Sequence, residues 1–139
     1  MSNDTISAAR ELFAHDRYAT ERTGIAIKTV GCHEATCTLT INAQHCNARG
    51  VAMGGALYTL ADFATAVAAN SDAIGSGELH WVSLNATAHY LAPAPLGSRL
   101  EARCTAVKHG HTTALYQTII ESLDSGKRLA TVETTMICA

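Results

Sequence analysis

The chain has 139 residues, of which 47% are hydrophobic and 16% are charged, with a formal net charge of −2. These values favour one globular domain over residues 1–139, in which we expect 1–20 to be an N-terminal helical segment. They exclude the basic surface that nucleic-acid binding requires. No apolar run nears 18 residues and the first residues lack a signal-peptide pattern, so we expect a soluble cytoplasmic protein without membrane association.

The first third of the chain predicts a helix and a β-hairpin. Apolar residues recur at helical spacing in residues 5–17. Further along, IAIKTV (25–30) and ATCTLTIN (35–42) flank the turn-like segment GCHE. Apolar and polar residues alternate strictly in ATCTLTIN, which predicts a strand with one buried face.

A long helix is predicted for residues 56–73, after a loop rich in Asn and Gly at 43–55. Its apolar face comprises Leu57, Leu60, Ala61, Ala64, Val67 and Ala68, which recur at helical spacing. A single carboxylate, Asp62, interrupts this small and apolar segment. The charge therefore needs an explanation beyond packing.

Three or four further strands, in hairpin connection, are predicted within segments 78–91, 92–108, 112–122 and 128–137. In the first segment we expect Val82, Leu84, Ala86, Ala88 and Tyr90 to form a buried face, and Ser83, Asn85, Thr87 and His89 a polar one. The element order predicts an α+β domain with one antiparallel sheet and the long helix across its concave face.

The segment NARGVAMGGALYTLADFA, residues 47–64, resembles the signature N-x-x-G-x-x-H-G-G-x-x-x-x-L-x-D-x-A of hotdog-fold acyl-CoA thioesterases of the phenylacetate-pathway (PaaI) type. The matching positions are Asn47, Gly50, Gly54, Gly55, Leu60, Asp62 and Ala64. Met53 stands where the family has His. Ser83 and the segment leading to Pro93 extend the resemblance, which covers roughly residues 20–137.

The resemblance implies a hotdog fold, an antiparallel sheet wrapped around one long central helix, that hydrolyses an acyl-CoA thioester without a metal or cofactor. It implies a homodimer or homotetramer with active sites at the subunit interface, where Gly54 of one chain and Asp62 of the other meet. Asp62 would be general base or nucleophile. The remaining positions implied are Asn47 and Ser83 as polar positioners, and Met53, Gly55, His111 and Thr112 as substrate contacts.

The glycine pair has a physical role that needs no resemblance. Gly54 and Gly55 at a helix start leave backbone amides unpaired at the positive end of the helix dipole. Such amides stabilise the oxyanion formed when a thioester is attacked, typically by about 3 to 4 kcal/mol for a good donor. Asp62 lies eight residues further on, roughly two helical turns, so a second subunit would be needed to bring both groups to one substrate.

Other interpretations of the same residues stay open. Asp62 could be a solvated residue on the outer helix face, and the glycines a helix-start turn. The fold could serve a non-catalytic protein that binds acyl-CoA or another small ligand, since a fold does not fix a function. A hotdog hydratase is weaker, because no His lies at helical spacing from Asp62.

Metal and phosphate sites are the other candidates. Five cysteines without a C-x-x-C pair fit a reducing compartment, and a zinc site is the minor alternative. Its ligands would come from Cys32, His33, Cys37, His45 and Cys46. The candidates for contacting coenzyme A phosphates are Arg103, Lys108, His109, His111, Lys127 and Arg128, although most such charges form a solvated face.

Overall fold

A six-stranded antiparallel sheet wraps around one long helix in the computed structural model, which describes residues 3–139. The helices are α1 (Asn3–Phe13) and α2 (Gly54–Ala69), with a π-helical turn at Tyr18–Thr23 and short 3-10 turns at Ala43–His45 and Ser71–Ala73. The strands are β1 (Ala26–Gly31), β2 (Glu34–Thr40), β3 (Trp81–Tyr90), β4 (Arg99–His109), β5 (Thr113–Ser122) and β6 (Arg128–Cys138). The predicted α+β architecture is confirmed.

Helix α2 forms the centre of the hydrophobic core. Every residue of its predicted apolar face is buried, and the helix packs mainly on β2, β4 and β5. Small side chains such as Ala61 and Ala64 leave room for a close approach to the sheet. The buried Thr65 hydroxyl is satisfied by donating to the carbonyl of Ala61 at 2.8 Å. The helix begins two residues before the predicted start and ends at Ala69, four residues before the predicted end.

Asn70 ends the helix and ties it to strand β3. Its side chain is almost fully buried. Its Nδ2 donates to the carbonyls of Ala66 (2.9 Å) and Trp81 (3.2 Å), while its Oδ1 accepts from the amides of His80 (3.2 Å) and Trp81 (3.0 Å). One side chain therefore fixes where β3 begins relative to α2.

The predicted hairpin between β3 and β4 is wrong. The sheet order is β1-β2-β4-β5-β6-β3, so β3 lies at the edge and pairs with β6, while β4 lies between β2 and β5. The connecting segment 91–98 contains Pro93 and Pro95, which cannot donate to a strand ladder. The chain therefore leaves the edge and crosses to the sheet interior instead of turning back on itself.

The predicted faces of β3 are also wrong, because a β-bulge interrupts the strand between Ser83 and Asn85. Before the bulge, Ser83 pairs with the buried Met136. After it, the residues paired with buried partners of β6 are Ala86, Ala88 and Tyr90. An extra residue in one strand reverses the alternation of faces. The bulge thus puts Ser83 on the helix side of the sheet together with Ala86, Ala88 and Tyr90.

Strand β3 leaves apolar side chains exposed along the edge of the sheet. Val82, Leu84 and Tyr90 are each about half exposed, at 49%, 59% and 52%. Within residues 3–139 no strand pairs with the outer edge of β3. A ten-residue edge with apolar side chains is a template for pairing with another strand.

Helices elsewhere follow the prediction only in part. The N-terminal helix ends at Phe13 instead of residue 17, and the chain then forms the separate π-helical turn at Tyr18–Thr23. Across residues 3–139, no helix is both long and apolar enough to cross a membrane.

The Asn70 linkage predicts a stability effect. Replacing Asn70 with Ala leaves partly buried backbone groups of His80 and Trp81 without these partners, which should lower the free energy of unfolding by about 1–3 kcal/mol. Chemical denaturation measures this difference. Asn85→Ala is the matched control, because Asn85 is an exposed amide on the same strand and its loss should change stability by less than about 0.5 kcal/mol. Equal stability of the two variants would contradict the linkage.

Candidate active site

The carboxylate of Asp62 on α2 faces the hydroxyl of Ser83 on β3. Ser83 Oγ donates to Asp62 Oδ1 at 3.3 Å, which is long for an O–H···O hydrogen bond. The same hydroxyl lies 3.4 Å from Sδ of Met136. The bulge in β3 makes this contact, since a regular strand that kept Ala86 and Tyr90 toward the helix would point Ser83 away from it.

The surroundings of Asp62 make it more basic than an ordinary aspartate. Part of its side chain remains open to solvent, but the nearby protein atoms displace enough water to raise its pKa, while the Ser83 hydrogen bond acts in the opposite direction. No ion pair neutralises it among residues 3–139. A carboxylate of this kind accepts a proton from water more readily than a fully solvated one.

Tyrosines surround the same helix face. Burial raises the pKa of the Tyr58 hydroxyl, and the charge of Asp62 and then the nearby Tyr90 add to this effect. Tyr58 is thus a neutral neighbour, one helical turn before Asp62. The ring of Tyr90 covers the start of the helix, because a Cβ atom at residue 54 would lie only 3.0 Å from Tyr90 Cζ. Gly54 is therefore required for close packing against this ring.

The start of α2 presents backbone amides without a cap. Met53 occupies the N-cap position with an extended backbone, and no side chain caps the helix there. The amides of Gly54 and Gly55 belong to the first helical turn, which has no acceptors within the helix. A Cβ atom at Gly55 would meet nothing within 4 Å. These amides can therefore donate to a ligand oxygen approaching from the open side.

Asp62 and the glycine amides remain far apart within one chain. Helix α2 is continuous from Gly54 to Ala69, so eight residues separate the two groups by about 12 Å along its axis. One thioester carbonyl cannot touch both groups in the same subunit.

Asn47 organises its own loop. Its Oδ1 accepts hydrogen bonds from the backbone amides of Arg49 (2.9 Å) and Val51 (3.4 Å), which is typical of an Asx turn. The side chain is exposed, and its oxygen is engaged in the loop. Only its NH₂ group is then oriented to donate to a substrate or water.

The predicted contacts in the β4–β5 turn lie away from Asp62. His111 and Thr112 are exposed in this turn, and no hydrogen bond or cavity of residues 3–139 joins their side chains to Asp62. The neighbouring His109 stacks on His33 with ring centroids 3.7 Å apart, and its Nδ1 lies 2.7 Å from the Tyr116 hydroxyl. Burial first, and His33 second, lower the pKa of His109, so it is a neutral side chain and a weak phosphate ligand.

The arginines considered for phosphate contacts are engaged with carboxylates. Arg103 lies 2.7 Å from Glu121 and 3.6 Å from Glu101, and Arg128 lies 4.0 Å from Glu121. Lys108 and Lys127 are exposed, and no ion pair holds them in the described part of the chain. These lysines and His111 are the basic groups of the set that are free to meet an anionic ligand.

The zinc ligands considered above do not converge. His45 Nδ1 accepts from the amide of Asn42 at 2.9 Å, so its Nε2 carries the hydrogen and donates to the carbonyl of Thr23 at 2.7 Å. Burial strongly raises the pKa of the Cys37 thiol, with Cys104 adding to the effect. No three His, Cys, Asp or Glu side chains within residues 3–139 are grouped to hold a metal.

Two cavities lie along the outer side of α2. The first, of about 360 Å³, is lined by residues that include Met53, Gly55 and Arg22. The second, of about 280 Å³, is lined by residues that include Asp16 and Asp62. Tyr18 and Thr59 line both. The π-helical turn therefore forms a wall beside the candidate site.

Sequence reasoning missed three residues of this region. Tyr90 was assigned to a buried face, whereas its ring lies over Gly54 at the sheet edge. Asp16 and Tyr18 fell within or just after a predicted helix, although they lie in the link and turn that follow α1. For Asp16 and Tyr18 the available sequence signal is the polar run at 15–17 after Phe13, which is compatible with an early helix end.

The Ser83 contact predicts a measurable change at Asp62. Ser83→Ala removes the hydroxyl that stabilises the ionised carboxylate, so the pKa of Asp62 should rise further. Carbon-13 NMR titration of the Asp62 carboxyl measures this directly. Thr87→Ala removes a hydroxyl from the opposite face of the same strand and should leave the titration unchanged. A fall, or no change, on Ser83→Ala would refute the contact.

Comparison with known proteins gives the family. The thioesterase superfamily matches residues 49–133. A variant of the phenylacetic acid degradation protein PaaI from Thermus thermophilus is 31% identical, with a TM-score of 0.78 over 86% of this chain and 97% of that one. The Escherichia coli PaaI protein is 28% identical, with a TM-score of 0.81 over 96% of both chains.

A more distant structure has the same fold. A hypothetical thioesterase from Streptococcus pneumoniae, solved with coenzyme A, is 22% identical, with a TM-score of 0.81 over 91% of this chain and 96% of that one. No curated protein matches closely enough to carry an argument. The family match and the similarity to PaaI proteins show that this chain belongs to the thioesterase superfamily, as a hotdog-fold member of the PaaI type.

Proposed function

We propose that this protein is an acyl-CoA thioesterase that hydrolyses the thioester to a free acid and coenzyme A. The observation that carries the proposal is Asp62, a carboxylate with a raised pKa and no ion pair within residues 3–139, hydrogen-bonded to Ser83 at 3.3 Å. The uncapped amides of Gly54 and Gly55 are suited to the second requirement of thioester hydrolysis, an oxyanion site. Membership of the thioesterase superfamily supports the reaction class.

In the proposed reaction Asp62 acts on a water molecule. The carboxylate takes one proton from water as the oxygen adds to the thioester carbonyl, and the Gly54 amide stabilises the resulting oxyanion. The oxyanion then collapses, the carbon–sulfur bond breaks, and the proton on Asp62 passes to the departing thiolate. Ser83, and the Asn47 NH₂ group, orient the water or the thioester without competing as bases.

Asp62 could instead attack the carbonyl itself, forming a mixed anhydride that water then hydrolyses. A single turnover in oxygen-18 water detects the covalent route when the anhydride is opened at the aspartyl carbon. If water opens the anhydride at the acyl carbon, Asp62 keeps its unlabelled oxygens. If water attacks the aspartyl carbon, one labelled oxygen is left on Asp62. Direct attack of water on the thioester never labels Asp62. A labelled Asp62 would therefore establish the covalent route.

The site requires a second copy of the chain in this proposal. Asp62 and Gly54 lie about 12 Å apart along one helix, and Asp62 and Ser83 lie beside the open, apolar edge of β3. Pairing of two such edges would cover the exposed Val82 and Leu84 and bring two α2 helices side by side. We therefore propose a homodimer with active sites at the interface, with a homotetramer as the further assembly.

Coenzyme A is the proposed thiol half of the substrate. The pneumococcal thioesterase of the same fold was solved with coenzyme A. In this chain the exposed basic groups suited to phosphates are Lys108 and His111, beside the turn between β4 and β5 that also holds Thr112. Lys127 is a separate candidate, in the turn between β5 and β6 at the other end of β5. Met53 and Gly55 line the 360 Å³ cavity and would contact the acyl half or the thioester.

A binding protein without turnover is the second candidate function. Met53 favours it, because a thioether at the N-cap cannot donate the hydrogen bonds of a histidine at that position. A panel of short, long and aromatic acyl-CoAs separates the two functions. Steady release of thiol supports the enzyme, whereas saturable binding without release supports the binding protein.

Asp62→Asn tests the catalytic role. The amide cannot accept the proton, so turnover of the best acyl-CoA should fall by at least about 100-fold. Because the folded protein raises the pKa of Asp62, its stabilising contribution is full at low pH and is lost as pH rises through that pKa. At neutral pH the neutral amide should therefore unfold at a higher temperature than the wild type. Retained turnover would exclude Asp62 as base or nucleophile.

Met53→His tests the departure from the family pattern. A histidine at this exposed N-cap position can reach a ligand at the helix start, so kcat/KM should rise by roughly 10-fold if ground-state positioning is limiting. Met53→Gln supplies a hydrogen-bonding side chain without an imidazole and is the matched control. An unchanged or lower kcat/KM in both variants would show that Met53 belongs to a different pocket design.

A further inference from the structure

Asp16 is a second carboxylate beside the candidate active site. It lies in the link between α1 and the π-helical turn at Tyr18–Thr23. Its amide donates to the carbonyl of Phe13 at 3.0 Å, and its carbonyl accepts from the amide and hydroxyl of Thr20 at 3.0 and 3.1 Å. The backbone of Asp16 is therefore held on both sides, which fixes the direction of its Cα–Cβ bond.

Asp16 and Asp62 line the same cavity. Its volume is about 280 Å³, and its walls are the link after α1 on one side and α2 on the other. At about 30 Å³ per water molecule this space holds several waters. The apolar part of its wall comes from Phe63 and Ala66. Both acidic residues therefore border one space that water can fill.

No cation separates the two carboxylates within the described residues. Arg17 also lines the cavity, but its guanidinium binds Glu21 at 3.1 Å. His15 is the nearby basic group that lowers the pKa of Asp16, while burial first and the charge of Asp62 second raise it. The other titratable neighbours of Asp62 are Tyr58 and, beyond it, Tyr90. A protonated His15 only partly offsets the repulsion between the two carboxylates.

We propose that Asp16 is a positioning residue of the proposed hydrolysis, which acts across the cavity as a negative charge that makes Asp62 a stronger base. The proposal rests on the proposed function of Asp62. Electrostatic coupling is mutual, so if ionised Asp62 disfavours ionisation of Asp16, ionised Asp16 favours the protonated form of Asp62.

The reaction step that gains from this charge is proton abstraction. As water adds to the thioester, its proton moves to Asp62, and the negative charge on that carboxylate disappears. The charge of Asp16 destabilises the ionised Asp62 carboxylate at the start of the step, but it does not destabilise the neutral carboxyl group that forms. Asp16 gains and loses no proton in the step, so the proton on Asp62 remains available for the thiolate.

Asp16→Asn is the decisive variant, with two companions. The amide keeps the shape and removes the charge, while Asp16→Glu restores the charge. Glu11→Gln removes the same charge from an exposed position on α1 that does not line the cavity. For Asp16→Asn we expect the acid limb of the pH profile of kcat/KM to move to lower pH by at least about 0.5 unit. The plateau value of kcat/KM should fall by roughly two- to fivefold. Asp16→Glu and Glu11→Gln should keep the limb near its original pH.

A second measurement does not depend on activity. Carbon-13 NMR titration of the Asp62 carboxyl, in the assembled protein, should show a lower pKa in Asp16→Asn than in the wild type or in Glu11→Gln. An unchanged titration in Asp16→Asn, or an equal shift in Glu11→Gln, overturns the proposal. If the wild type hydrolyses no acyl-CoA, the proposed function fails, while this titration still decides whether the two carboxylates are coupled.

Discussion

The contact between the end of α2 and the start of β3 determines the geometry of the candidate site. Asn70 closes the helix and binds the backbone of His80 and Trp81, so the helix and the edge strand are joined at one end by a buried amide. From that anchor, the bulge at Ser83 and Asn85 decides which side chains of β3 face the helix. Asp62, Ser83 and Tyr90 take their relative places from these two features.

The candidate-site side of α2 carries a polar group that costs stability. Asp62 stands in a segment of small and apolar residues, with neither a cation nor a strong hydrogen bond to offset the loss of water around it. The opposite side of α2 is packed into the core through buried alanines, Leu60 and Val67. A poorly compensated polar group inside a well-packed element is the usual sign of selection for activity over stability.

The sequence predicted elements whose signal is local and missed those set by distant contacts. Helix α2 and the alternating strand β2 follow from apolar spacing. The motif supplies Asp62, Gly54 and Asn47 as candidate site residues, and their roles stay predictions. The pairing of β3 with β6 could not be predicted, because strand order depends on how a loop crosses the sheet. The bulge was equally hidden, since an uninterrupted alternation in residues 82–90 gives no sign of an extra residue. The proximity of Asp16 to Asp62 depends on the fold of a link that is distant in sequence from α2.

The bulge also makes the candidate site sensitive to strand register as well as to side-chain chemistry. If the bulge were lost and Leu84 paired with Met136 in register, Leu84 and Val82 would face the helix and Ser83 would face away, while the pairing of residues 85–90 with β6 could remain. A one-residue shift in the pairing before Asn85 would therefore exchange the group that faces the carboxylate without any substitution. Substitution of Ser83 changes one side chain, whereas such a shift places a different residue of β3 beside Asp62 on an otherwise preserved sheet.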